Sequence, residues 1–389
     1  MDSAFKRHKI VYTILRPLVV LYCKIVFNYK VEKPVDMEGP FILIPNHVSV
    51  YDMLFAAIHF KPHMYFVASE HSMRGGFASK LLSYFIEPIV RPKATVGAST
   101  VMKMRKHIKA GHNVCLFAEG EQSSNGTNRK ILKATAPVVK MMGAKLVTFK
   151  IHGGYFTAPR WGKGVRRGEM SGEIVNVYSP AELKAMTDDE LDAVINGDIF
   201  EDAYAENAEK KIAYKGKNLA EGIEYQLVVC PKCGKLNSIK SGGNEFFCDC
   251  GLKGKYDEYG MISGDGFDFT TITQWDEWQK QVLSEMDFDD NTVICSEADQ
   301  VIKEIRSDHT MEIVSTGDIA LTTKELRVGD WSIELSELSK YDIIAHGYLL
   351  LSTKDGRYFE IKNKEHKYAG QLYLLLIDKF VRKYEDASV

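Results

Sequence analysis

FILIPNHVSVYD (41–52) places four apolar residues, a proline, a histidine and an aspartate in one short run. Four consecutive apolar residues bounded by a turn signal read as a buried strand. Pro45 disfavours helix in the residue before it. His47 and Asp52 stand five positions apart. On one helix that spacing turns the chain ~500°, leaving the two side chains ~140° apart and out of reach. They meet only if His47 sits in the turn after the strand and Asp52 in the first turn of a following helix. Ser49 is a candidate N-cap for that helix, and Ser49 with Asp52 approximates a capping box. On the structural reading Asp52 caps the helix and His47 is a turn residue bonded to a carbonyl, and for an isolated pair this is the commoner case. On the chemical reading the carboxylate fixes the imidazole tautomer and stabilises the imidazolium, while His47 deprotonates a hydroxyl, which can belong to the substrate.

Outward from this stretch, short apolar runs at 41–44, 64–68, 88–91, 114–118, 145–151 and 172–177 predict strands. Helical patterns lie between them at 52–59, 77–85, 99–110 and 130–142. This alternation predicts an α/β layer with a largely parallel, mixed sheet, whose functional residues gather at the carboxyl ends of strands. An acidic helix is expected over 188–211, followed by the basic joint Lys215-Gly216-Lys217. Beyond residue 265 the pattern changes. A helix near 275–286 precedes apolar runs at 312–315, 319–322, 325–328, 332–335, 348–352 and 358–361, then a long helix over 368–384. Consecutive strands closed by one helix predict a small, mainly-β domain of barrel or sandwich type.

The chain has 389 residues, 26% of them charged, with a formal net charge of −2. That length allows two or three domains, and the near-neutral balance argues against a nucleic-acid partner. The 10–27 stretch is apolar but interrupted by Arg16, Pro17 and Lys24. It is a poor spanning helix and no cleavable signal. Wound as a helix, Lys9, Thr13, Arg16 and Lys24 share a narrow polar face, which suits a segment lying in a membrane interface. The alternative is a helix packed on the domain behind it.

Two further segments carry chemistry. NVCLFAEGEQSSNG (113–126) is a buried-looking strand ending in Glu119-Gly120. EPIVRPKAT (87–95) ends an apolar run at Arg91, with Lys93 close by. An arginine there can grip a phosphate with two hydrogen bonds. Together, NHVSVYD, IVRP and FAEGEQSS resemble, in order and spacing, the blocks of the glycerolipid acyltransferase family of 1-acylglycerol-3-phosphate type. The resemblance spans about residues 10–215. It implies an enzyme of phospholipid biosynthesis that moves a fatty acyl group from acyl-CoA or acyl-carrier protein to a lysophospholipid hydroxyl. It implies His47 and Asp52 as the catalytic pair, and Asn46, Arg91, Glu119, Gly120, Gln122 and Ser123 around the substrate. The chain departs from the family where Glu121-Gln122 replace Thr-Arg, and a carboxylate there opposes a phosphate. The fourth block, VTFKIHGGYFTAPRW (147–161), adds Lys150, His152 and Arg160. A non-phosphate lysolipid or amphiphilic alcohol is therefore an alternative acceptor, and a non-catalytic lipid-binding regulator an alternative function.

Of seven cysteines, four crowd into CPKCGKLNSIKSGGNEFFCDCG (230–251). Cys230, Cys233, Cys248 and Cys250 form two close pairs, each followed by a glycine that eases the turn, and each pair can supply two thiolates to one ion. The segment resembles a zinc ribbon, which implies a structural zinc ion in a reducing compartment. The last ~90 residues resemble a pleckstrin-homology or GRAM-like module. The expected organisation is a membrane-associating segment (1–30), an acyltransferase domain (31–225), a zinc ribbon (226–262) and the mainly-β domain (263–389). The protein is expected at the cytoplasmic membrane face, held peripherally.

Overall fold

In the computed structural model, which describes residues 3–31, 33–69, 84–91, 97–290, 292–306, 310–344, 348–363 and 370–387, Phe41–Pro45 forms strand β1 with every residue buried. Alternate side chains of β1 enter opposite cores. Ile42 and Ile44 pack with Val114, Leu146 and Val139, whereas Phe41 and Leu43 pack with Phe55, Phe66 and Phe149. Burial on both faces is the hallmark of a strand inside a helix-covered parallel sheet.

That sheet has the order β3-β2-β4-β1-β5-β6, with β2 Met64–Ser69, β3 Ile89–Arg91, β4 Asn113–Cys115, β5 Lys145–His152 and β6 Ser171–Tyr178. All neighbours are parallel except β6, which runs antiparallel to β5. Helices α1 Ser3–Phe27, α2 Asp52–His59, α3 Ala98–Lys109 and α4 Thr135–Met142 accompany it. They are followed by the short α5 Gly154–Thr157, then α6 Pro180–Ala185, α7 Asp188–Asp198 and α8 Ala203–Lys210.

Several expectations need correction. The 114–118 strand stops at Cys115, because the chain leaves the sheet to enter the turn at Gly120. The 130–142 helix begins at Thr135, with Pro137 in its first turn, where a missing N–H costs nothing. The acidic helix is two, because Asp202 turns its side chain to the Ala205 amide and caps a new helix. Of the 77–85 helix only Tyr84 and Phe85 lie among the described residues; Lys93 lies outside them.

The chain divides into two compact units. The first holds residues 1–160, 164–216 and 258–260, so the N-terminal segment belongs to the α/β unit. The second holds residues 161–163, 217–257 and 261–389, joining the cysteine-bearing segment to the mainly-β region. It contains a four-stranded antiparallel sheet in the order β10-β9-β8-β7, built from β7 Ile239–Gly242, β8 Glu245–Cys248, β9 Lys253–Tyr256 and β10 Ile262–Asp265. After α9 Ile272–Glu285 come seven antiparallel strands in the order β14-β13-β12-β11-β17-β16-β15. These are β11 Cys295–Ile305, β12 Met311–Leu321, β13 Glu325–Val328, β14 Trp331–Glu334, β15 Leu338–Ile344, β16 Tyr348–Thr353 and β17 Tyr358–Asn363. Helix α10, Gly370–Ala387, closes the core with Leu372, Leu376 and Phe380. The runs at 312–315 and 319–322 are one strand, β12. Strand β11 escaped the sequence pattern because a bulge between Glu297 and Gln300, with Asp299 at φ +60°, breaks its alternation.

Candidate functional site

The carboxyl ends of β1, β3, β4 and β5 deliver Asn46-His47, Arg91, the 116–120 turn and His152 to one edge of the parallel sheet. His47 lies in the turn and Asp52 opens α2, as their spacing requires. His47 Nδ1 and Asp52 Oδ2 are 2.9 Å apart. Asp52 is fully buried, and its Oδ2 also accepts from the Val48 amide at 2.6 Å and the Ser49 amide at 2.9 Å. Ser49 Oγ donates to Oδ1 at 2.5 Å. Four donors thus converge on an acceptor-only group. With Nδ1–H given to Asp52, the imidazole lone pair is on Nε2, which meets no protein partner among the described residues. The ring lies beside Phe117, centroids 4.4 Å apart, and its side chain keeps 20% of its exposure.

Ser49, expected to cap α2, does not do so. Tyr51, not Ser49, precedes the first helical residue, and it makes no side-chain cap. Ser49 Oγ instead accepts from the Tyr51 amide inside the turn. Asp52 therefore serves both readings at once, bonding the turn's amides and orienting His47.

Glu119 is tied to His47 from the other side. Its Oε1 accepts from the His47 amide and from Asn128 Nδ2, each at 2.8 Å, and Oε2 accepts from the Arg129 amide at 2.9 Å. Burial pushes its pKa up to about 7, against these hydrogen bonds. Its carboxylate is occupied in positioning the turn. Gly120 takes φ +80°, and a Cβ there would lie 3.8 Å from an Arg91 guanidinium nitrogen, so Arg91 borders the turn. Ser123 is buried, donates its amide to the His47 carbonyl at 2.8 Å and accepts from the Gly126 amide. Gln122 is half-buried in the same loop. Asn46 turns inward. Its Oδ1 accepts from the Ile151 amide at 2.7 Å, while Nδ2 donates to the Ile151 carbonyl and to Glu201 Oε2, each at 2.9 Å.

Two features were not foreseen. Arg160 lies 3.7 Å from Glu121, so a guanidinium offsets the carboxylate that stands where the family has Thr-Arg. Glu201, fully buried beside Asn46, has no motif to announce it.

In the second unit the four cysteine sulfurs converge. Cys230 and Cys250 Sγ are 3.7 Å apart, and Cys233 and Cys248 Sγ 3.8 Å. All four lie within 4.8 Å of one another. A tetrahedral ion with metal–sulfur bonds of ~2.3 Å sets sulfurs ~3.8 Å apart, so this cluster fits a metal ion.

Residues 26–152 match the family model described as Acyltransferase, a span that contains His47, Asp52, Arg91, Glu119 and Gly120. No curated protein matches the chain. Among similar solved structures is the 1-acyl-sn-glycerophosphate (LPA) acyltransferase PlsC from Thermotoga maritima, at 18% identity, covering 54% of this chain and 84% of that one with a TM-score of 0.44.

Proposed function

We propose that this acyltransferase moves a fatty acyl group from a thioester donor, acyl-CoA or acyl-carrier protein, to a free hydroxyl of a lysophospholipid. The observation that carries this reading is the 2.9 Å contact between His47 Nδ1 and Asp52, which leaves Nε2 as the ring nitrogen available to accept a proton. His47 Nε2 takes the hydroxyl proton as the oxygen attacks the thioester carbonyl. Asp52 stabilises the resulting imidazolium. When the tetrahedral adduct collapses, the C–S bond breaks and the imidazolium returns its proton to the leaving thiolate. No acyl-enzyme forms.

Arg91 beside the Gly120 turn supports a phosphate-bearing acceptor, and the Glu121–Arg160 pair removes the main objection to one. The reading with a non-phosphate acceptor rests on Glu121 and Gln122, and on the departures of the 147–161 segment. Incubating purified protein with acyl-CoA and a panel of lysophosphatidate, lysophosphatidylcholine and monoacylglycerol, with product identification by mass spectrometry, separates the two. The proposal expects esterified lysophosphatidate. Esterified monoacylglycerol without it would favour the alternative.

Helix α1 supports action at a membrane surface. Contrary to the expectation of a poor spanning helix, Ser3–Phe27 is long and apolar enough to cross a membrane by length and composition, because Arg16 and Lys24 are its only charges within the apolar 10–27 stretch. Ile10, Ile14, Leu18, Leu21 and Ile25 are all exposed and, at spacings of three and four, form one ridge. The opposite side docks on its own unit, with Tyr12 Oη donating to the Ala57 carbonyl at 2.5 Å and Arg16 bonding the Ile58 carbonyl. Arg16 is thus withdrawn from the polar face expected for it. An exposed ridge with a docked back suits a helix lying in the cytoplasmic interface. The cysteine cluster suits a structural zinc ion, since four thiolates leave no open coordination position. The order of the seven β strands, with α10 closing them, supports a pleckstrin-homology-like module.

A further inference from the structure

His152, at the end of β5, sits between two carboxylates. Its Nδ1 is 2.8 Å from Glu206 Oε2 on α8, and its Nε2 is 3.1 Å from Glu173 Oε1 on β6. Glu201, in the loop between α7 and α8, faces the same cavity of about 30 Å3. It is 2% exposed, and only its Oε2 is hydrogen-bonded, by Asn46. Oε1 is buried without a hydrogen-bond partner. The Gly153 amide faces the carboxylate, outside hydrogen-bonding geometry for Oε1. A buried carboxylate oxygen left unpaired is expensive; burial raises the pKa of Glu201, so the site takes up either a proton or a cation there. One ligand atom from each of His152, Glu201 and Glu206 lies within 4.8 Å of the other two.

We infer that His152, Glu201 and Glu206 form a binding site for one divalent transition-metal ion. Glu173 supplies the partner such a site uses. A ligating histidine donates its second ring N–H to a carboxylate, which leaves the other nitrogen's lone pair for the metal. The ion would lie where Nδ1 and Glu206 Oε2 now face each other. Neighbouring ligands ~2.1 Å from one ion stand about 3.0–3.4 Å apart, so the 2.8 Å pair is close to the required spacing and the ion draws Glu201 toward it. An imidazole with two carboxylates favours Zn2+, Mn2+ or Co2+ over Mg2+ and Ca2+, which prefer oxygen alone. Lys210 Nζ, 3.4 Å from Glu206, is the competing cation, half-exposed on the same helix and free to swing into solvent. Glu201 and Glu206 lie outside the span matched by the family model. Through Glu201 and Asn46 the ion would brace the residue next to His47.

The test counts metal and does not depend on acyl transfer. The full chain, stripped by chelation and equilibrated with Co2+, is expected to hold two ions, one of them with thiolate-to-cobalt charge-transfer absorption from the cysteine cluster. Glu206→Gln and His152→Gln should each hold one, with that absorption unchanged. Lys210→Ala should bind the second ion about 3–10-fold tighter, and excess Mg2+ or Ca2+ should not displace it. A wild-type chain that takes up only the thiolate-bound ion would overturn the inference. So would a folded Glu206→Gln and His152→Gln that both retain two ions. The wild-type count decides the matter if either variant fails to fold.

Discussion

Asp52 and Glu119 hold the His47 turn from two sides by different chemistry. Asp52 bonds the imidazole, so Asp52→Asn should cost about 10²–10⁴-fold in kcat, the range of a general base that loses its orienting partner. Circular dichroism and KM should change little, and a variant within threefold of wild-type kcat would remove Asp52 from the mechanism. Glu119 bonds the backbone of His47, and its buried carboxyl titrates near pH 7, above the ordinary carboxylate value. Between pH 4.5 and 7 the folded chain holds this proton more tightly than the unfolded chain, so its contribution to stability is full at low pH and is lost as pH rises. The loss amounts to on the order of 3 kcal/mol. Glu119→Gln should remove that slope from denaturant-unfolding curves measured across this window. Identical slopes in the two proteins would contradict the burial argument.

At the scale of elements, α1 and the cysteine-bearing segment act through surfaces and ligands rather than cores. Exposed apolar residues can be changed at little cost to stability. Ile14→Ser, Leu18→Ser and Ile25→Ser together should abolish flotation with anionic liposomes while moving Tm by no more than a few degrees. Unchanged flotation would leave α1 as a packing helix only. The four clustered cysteines should behave as one unit. Chelation should release a thiolate-bound ion and make four thiols newly reactive, while buried Cys23 and Cys115 stay protected. Four thiols reactive before chelation would exclude the site.

For the whole molecule, the acid side of the stability curve belongs to buried histidines. His59 and His63 are buried and hold their pKa values down, to about 4 and about 3, through desolvation first. The unfolded chain binds these protons below about pH 6.5, so stability is lost as pH falls from there. Each contributes about 3–5 kcal/mol. With His107, also held down to about 4, they outweigh the opposite slopes of Glu119 and Glu201, whose buried carboxyls are raised, and unfolding free energy should fall from pH 6.5 toward pH 4. A flat profile would show that these sites open to water. Much of this molecule was legible in its residues. The apolar run at 41–44 marked the central strand, and His-x4-Asp closed as its spacing demanded. The cysteine pairs converged as their glycines suggested. Glu201, His59 and the Glu121–Arg160 pair were not legible, because each depends on segments far apart in sequence meeting in space. Strand β11 was hidden for a local reason, the bulge that breaks its alternation.

The role of His47 as base is decided by His47→Ala. Release of free CoA thiol from acyl-CoA should depend on lysophospholipid in the wild-type protein and fall to background in a folded His47→Ala chain. Near-full release in that variant would contradict the assignment of His47 as the base.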